Sequence, residues 1–207
     1  GYVIECNGDA EVSIKNAKLG GAAGILMQAG SLTMENTALV TENNSTNPSI
    51  PTNAIAFMPA TNAARVILTL GPGNQISSKS GAIFHIVPAA QGGVTAQIAI
   101  TGGTFIAENG HPLFSALEGI EKVVEISGGS FPGISPEESV ALAPCLSESI
   151  TIDEDGNVAA KPQEPGVIVI HPNEENQTQS NPGTGAPINA IGQWLWSIVC
   201  WMHSQVR

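Results

Sequence analysis

The side chains able to do chemistry are few and scattered. Acids on or beside stretches that read as strands are Glu11, Glu35 and Glu125, and Glu121-Lys122 stand just before the last of these. Two carboxylates held at a fixed separation would serve glycosidic cleavage. No two of these acids share a spacing that brings them together, and Glu–Lys neighbours are ordinarily a solvated face. His85 and His111 fall in comparable places on two apolar stretches, where a histidine pair could line one face, although two unrelated, partly exposed histidines are the simpler reading. Asp153-Glu-Asp-Gly-Asn157 has half the pattern of a calcium loop and lacks the later bidentate Glu, so a hairpin turning on Asp155-Gly156 accounts for it better. No strained nucleophile turn and no phosphate-cradling glycine loop occurs: the glycine pairs follow strands and open no helix. Cys6, Cys145 and Cys200 have neither a metal-ligand spacing nor a disulfide framework, and Cys6 and Cys145 read as apolar thiols. The sequence therefore nominates no catalytic residue, no metal ligand and no cofactor, and a non-enzymatic role is expected.

Two near-copies of a hexapeptide stand 26 residues apart, Ile100-Thr-Gly-Gly-Thr-Phe105 and Ile126-Ser-Gly-Gly-Ser-Phe131. Each is entered by an apolar-x-apolar step, and that step recurs as Val12-Ser-Ile14, Leu32-Thr-Met34, Leu68-Thr-Leu70, Ile98-Ala-Ile100, Val124-Glu-Ile126 and Ile150-Thr-Ile152. The intervals of 20, 36, 30, 26 and 26 residues suit a stacked, coiled chain in which some turns carry loops. Thr41 to Pro48 is a run of turn formers expected to bulge out in the longest interval. A second set of strands is expected at Ile25–Met27, Ile55–Phe57, Ile83–Ile86 and Pro112–Phe114, with sharp corners at Gly20-Gly21, Gly92-Gly93, Gly102-Gly103 and Gly128-Gly129. A short helix begins at Pro136, with Ser135 as N-cap and two Glu in its first turn. With the Asp155-Gly156 hairpin it would cover the end of the stack. A β-sandwich also has short strands and frequent turns, but it does not reuse one glycine-pair corner after the same strand.

Composition narrows the function classes. The chain has 207 residues, 42% of them hydrophobic and only 12% charged, so it can build a core. Seven basic residues against eighteen acids give a net charge of −11, which argues against nucleic acid as a partner. The chain opens on Gly1 and not Met, which reads as the interior of a longer or processed product.

The Gly-Gly steps, followed by Ser-Pro-Glu-Glu, a small helix and an Asp-Gly hairpin, resemble surface proteins of Gram-positive (Firmicutes-like) bacteria. Those are similar to the pectin-lyase-like superfamily of right-handed parallel β-helices. The resemblance covers about residues 3–160 and implies an all-β solenoid with a short helix and hairpin as C-terminal cap. Coils would occupy 1–134 and the cap 135–160. Polysaccharide lyases on that fold use acids for Ca²⁺ and a basic residue as proton abstractor, and glycosidases on it use paired carboxylates; neither set is evident here.

Residues 161–180 are polar, acidic and proline-bearing and read as a linker, interrupted by Val167-Ile-Val-Ile170, which reads as one more edge strand. From 181 to 207 come Asn181-Pro182-Gly183-Thr184-Gly185 and an apolar run from Ala190 to Met202. This resembles a sortase sorting signal of the Asn-Pro-x-Thr-Gly type. The resemblance implies cleavage between Thr184 and Gly185, recognition through Asn181 and Pro182, Gly183 as the variable position, and attachment of Thr184 to the peptidoglycan of the cell wall. The tail would hold the precursor in the membrane transiently. At thirteen residues the apolar run is shorter than the ~20 that span a bilayer, it holds Trp194, Trp196 and Trp201, and its basic end is reduced to Arg207. The expectation is an extracellular, wall-attached module such as a stalk, adhesin or glycan-contacting segment, with a host or environmental glycan or protein as partner. The alternative is a polysaccharide-active enzyme or its glycan-binding fragment. An ice-binding face would need flat ranks of outward threonine, and Thr33, Thr69, Thr101 and Thr104 are too scattered for that.

Overall fold

The computed structural model describes residues 1–43, 52–88 and 94–161. The sorting motif Asn181–Gly185, the linker beyond 161, Val167–Ile170, Cys200, the apolar tail and Gly92-Gly93 lie outside the described residues. Contacts divide the chain into two units, Gly1–Glu164 and Pro165–Arg207, and only the first is described.

This unit is mostly β. Its strands are β1 (Tyr2–Cys6), β2 (Glu11–Lys15), β3 (Lys18–Gly21), β4 (Ala23–Met27), β5 (Gly30–Glu35), β6 (Ala38–Thr41), β7 (Ile55–Phe57), β8 (Arg65–Leu70), β9 (Gln75–Ser78), β10 (Phe84–Ile86), β11 (Thr95–Ala107), β12 (Val124–Ser130), β13 (Ile150–Ile152) and β14 (Val158–Ala160). Among the described residues a single α-helix, α1 (Pro136–Leu142), lies between β12 and β13. One parallel sheet has the order β1-β4-β7-β10. A larger one runs β2-β5-β8-β11-β9-β6-β3, with β12 also on β11. Every described strand ladder is parallel except the β13–β14 hairpin, and the one antiparallel bridge outside the ladders joins Ser130 to that hairpin's turn at Asn157, so the sandwich alternative, which needs antiparallel hairpins throughout, is set aside.

The sheets join corresponding steps of successive repeats. Ile14 pairs with Met34, Met34 with Leu70, Leu70 with Ile100, and Ile100 with Ile126, so one interior rank of apolar residues crosses five strands. All but the first are fully buried. Alternating side chains put every second residue of a strand inside, which is why the apolar-x-apolar step marks these strands. The second set is present at β4, β7 and β10. Phe84 of this set forms a series of rings with Phe114, Phe105 and Phe131: Phe84 to Phe114 at 4.9 Å, Phe84 to Phe105 at 5.4 Å and Phe105 to Phe131 at 5.3 Å between ring centroids.

Several expectations are corrected. A third set of strands, β3, β6, β9 and the second half of β11, completes each repeat. Gly20-Gly21 ends β3 just before the bend at Ala22, and Gly102-Gly103 lies inside the continuous β11 at the point where its partner changes from β8 to β9, so these corners fall at the end of a strand or within one. At Gly103 and Gly129, φ is 102° and 121°, and the register between β11 and β12 shifts over this stretch, a bulge through which β11 continues to Ala107 while β12 ends at Ser130. Ile150-Thr-Ile152 has the local pattern of a repeat step but pairs antiparallel with β14. The turn between them requires Gly156 at φ 83°, where a Cβ would sit 2.2 Å from the Phe131 carbonyl oxygen. Pro112–Phe114 forms only an isolated bridge to Phe84, and Thr41 ends strand β6 fully buried and is no part of a loop.

The helix starts as expected. Ser135 Oγ accepts from the Glu138 N–H at 3.2 Å, and Glu138 Oε2 accepts from the Ser135 N–H at 3.1 Å, a complete capping box with Pro136 at the first position. Glu138 is 6% exposed. Its Oε1 accepts from the Phe114 N–H at 3.0 Å. Leu113 O and Ser115 N bond to β10, so Phe114 turns its N–H away from the sheet, and the carboxylate takes the place of a further strand.

Candidate functional site

Three of the acids singled out in the sequence, Glu11, Glu35 and Glu125, join neighbouring parts of the fold, and Glu42 does the same. Lys15 Nζ meets Glu35 Oε2 at 2.9 Å, Arg65 meets Glu11 at 2.6 Å and Lys79 meets Glu42 at 2.9 Å. Glu125 accepts from Gln97 Nε2 at 3.2 Å. These partners are exposed, so each ion pair adds little stability on its own, but all three tie one repeat to a later one.

The two histidines are not a pair. His85 points out from β10 with Nδ1 2.8 Å from Ser115 Oγ. His111 follows the turn at Asn109-Gly110, outside any strand, and its N–H donates to the Glu108 carbonyl at 3.1 Å. The Asp153 loop is a closed turn: its Oδ1 accepts from the N–H groups of Asp155 and Asn157 at 3.0 and 2.8 Å, and Oδ2 accepts from Asn157 Nδ2 at 3.3 Å. These bonds, the Asn157 N–H foremost, hold the Asp153 carboxyl below its usual range against the opposing effect of desolvation. Among the described residues no group of three His, Cys, Asp or Glu side chains is placed to hold a metal ion. Cys6 and Cys145 are free thiols. Burial, aided by the charge of Glu121, pushes the Cys145 thiol up to about 11, and burial raises Cys6 as well. Cys145 is buried as expected, whereas Cys6 is only half-buried because β1 is an edge strand.

Of the depressions on the described surface, two concern the residues above. One, of 330 Å³, is polar and is lined by Thr95, Gln97, Glu121, Lys122 and Glu125; here the structure does gather the acids that the sequence left merely adjacent. The other, of 390 Å³, lies on the outward face of β6, β9 and β11. Register puts Ala38, Gln75 and Thr104 in one rank and Val40, Ser77 and Ile106 in the next. Val40 and Ile106 are each 40% exposed and flank Ser77 as two aliphatic ridges. Sequence reading missed this surface because Gln75-Ile-Ser-Ser78 has only one large apolar residue and no alternation to announce a strand. The phenylalanines that might stack on sugars, Phe57, Phe84, Phe105, Phe114 and Phe131, are all buried. Thr33 and Thr69 stand in register with Ser13, but the rank continues with Ala99 and Glu125, so outward threonine extends over two strands only.

No protein-family model matches this chain, and no curated protein and no solved structure matches it either.

Proposed function

We propose that the chain is a non-catalytic surface module of a Gram-positive cell, built as a right-handed parallel β-helix and joined to the wall through Thr184. The observation that carries the non-catalytic reading is the engagement of its acids: Glu11, Glu35, Glu42, Glu125, Glu138 and Asp153 each bond within the fold, most of them between repeats. In-register parallel ladders that join each repeat to the next support the β-helix, since a coil that repeats one three-strand course produces such ladders. The wall attachment rests on Asn181-Pro-Gly-Thr-Gly185 in the sequence, preceded by a polar, proline-bearing stretch. Incubation with a sortase that prefers this motif should yield a product ending at Thr184 by mass spectrometry. Failure to cut, or equal cutting of Thr184→Ala, would remove the anchoring part.

A polysaccharide-active enzyme is the second reading, favoured by the polar depression at Gln97, Glu121, Lys122 and Glu125. Turnover on a panel of polysaccharides, lost in Glu121→Gln or Glu125→Gln, would replace the first reading with this one.

A further inference from the structure

Among the described residues, three places set an Asn or Asp directly before a glycine: Asn7-Gly8, Asn109-Gly110 and Asp155-Gly156. A glycine has the least hindered backbone nitrogen, and that nitrogen can attack the side-chain carbonyl carbon of the residue before it and close a cyclic imide. The attacking nitrogen must be free of other bonds. At Asp155 it is occupied, since the Gly156 N–H donates to the Asp153 carbonyl at 3.0 Å. Asn7 lies in the first course of strands. Asn109 and Gly110 are both exposed, just where the chain leaves β11.

Along this part of β11, alternate N–H groups donate to the preceding course, among them Thr104 to Asn74 O and Glu108 to Ser78 O, each at 2.8 Å. Gly110 is next in that series. Instead, φ of 57° at Asn109 and 75° at Gly110 turns the chain off the sheet, and the His111 N–H closes the turn on Glu108 O at 3.1 Å. The Gly110 N–H has no partner among the described residues, and a Cβ placed on Gly110 would meet nothing within 4 Å. The Asn109 carboxamide continues the ladder in its stead: Nδ2 donates to Lys79 O at 2.9 Å.

We propose that Asn109 is a site of spontaneous deamidation, which removes this side-chain rung between two courses. Gly110 N bonds to Asn109 Cγ, the Cγ–Nδ2 bond breaks, and ammonia leaves with the Gly110 amide proton. Water then adds to either imide carbonyl and opens the ring. One opening gives Asp. The other gives isoaspartate, in which the main chain runs through the former side chain. Neither product keeps a side-chain donor. A carboxylate then stands where the carboxamide met the Lys79 carbonyl, and Glu108 beside it adds like charge. The nitrogen reaches Cγ only when the turn opens. Two surface bonds hold it, His111 N–H to Glu108 O and Asn109 Nδ2 to Lys79 O, so it opens far more readily than the core. Folding should slow the reaction roughly five- to a hundredfold against the unfolded chain, the net worth of two such bonds.

The 207-residue chain is incubated at mildly alkaline pH, folded and in urea, then cut with trypsin and weighed by mass spectrometry. Asn109 is the only asparagine between Lys79 and Lys122, and Asn7 falls in a different fragment. The fragment Ser80–Lys122 should gain the mass of an amide-to-acid exchange in the folded chain and separate into Asp and isoaspartate forms on chromatography. Asn109→Gly keeps the positive-φ turn and should abolish the gain, which sets aside Gln91 and Gln97 of the same fragment. Hydrogen exchange at the Glu108 and His111 amides should run roughly two- to tenfold faster in the converted protein and in Asn109→Asp, the loss of one exposed bond. A folded rate about a thousandfold or more below the unfolded one overturns the proposal, because the turn would then open only with the whole fold. So does a mass gain that persists in Asn109→Gly, or amide exchange that conversion leaves unchanged.

Discussion

Replacing Glu138 tests whether the late end of the stack is held by one carboxylate. Glu138→Ala leaves the buried Phe114 N–H without its acceptor, at a cost of about 1–3 kcal/mol. It also removes half of the capping box that starts α1, roughly 0.5–1 kcal/mol more. The total of about 2–4 kcal/mol should lower the melting temperature by roughly 8 °C for a folded unit of this size. Glu138→Gln keeps the shape and one acceptor oxygen, but turns an amide NH₂ toward the Ser135 N–H or the Phe114 N–H, and should lose about half as much. Far-UV circular dichroism gives the melting temperature, and hydrogen exchange at the Phe114 amide locates the damage. An alanine variant that melts within about 2 °C of the parent, with that amide still protected, would refute the assignment of Glu138 as the closing group.

Asn74 fills a buried corner, accepting from the Thr37 N–H at 3.0 Å and donating to Met34 O and Gly71 O at 2.8 and 3.0 Å, so Asn74→Ala should cost about 2–4 kcal/mol in a denaturant titration. Asp153 is held below its ordinary pKa of 3.8, so its contribution is present above that value and fades as pH falls through the lowered one. Titration of the β13–β14 amide signals by NMR should show the hairpin loosening only in acid, and Asp153→Asn should abolish the step. With its thiol at about 11, Cys145 should resist iodoacetamide at pH 8 in the folded protein and react on unfolding, as peptide mapping would show.

How far the fold could be read depended on what each rank contains. Val12, Ile14, Leu32, Met34, Leu68 and Leu70 alternate with polar neighbours, and that alternation is itself the geometry of a strand with one face inside. Ser135-Pro-Glu-Glu138 announced its helix because the capping box is a local matter. Its reach to Phe114 was invisible, since it joins residues 24 apart through a fold that no local pattern encodes. The third strand set went unseen because Lys18-Leu-Gly-Gly21 and Gln75-Ile-Ser-Ser78 each carry only one large apolar residue, and their partners supply the rest. Ile150-Thr-Ile152 misled for the converse reason: the same tripeptide serves a parallel stack or a hairpin, and the turn at Gly156 decides. The polar depression needed the 3-10 turn at Ile120–Lys122 to bring Glu121 beside Gln97, which adjacency in sequence does not convey.

The interior rank from Ile14 through Met34, Leu70, Ile100 to Ile126 has a consequence for descent. Each member offers its neighbours nearly the same volume, and the strands that carry them lie in the same direction and register. Unequal recombination that duplicates or deletes one whole interval in the gene delivers a segment whose new neighbours look like its old ones. The length of such a chain can therefore drift by entire courses without any change being required in the finishing piece around Glu138.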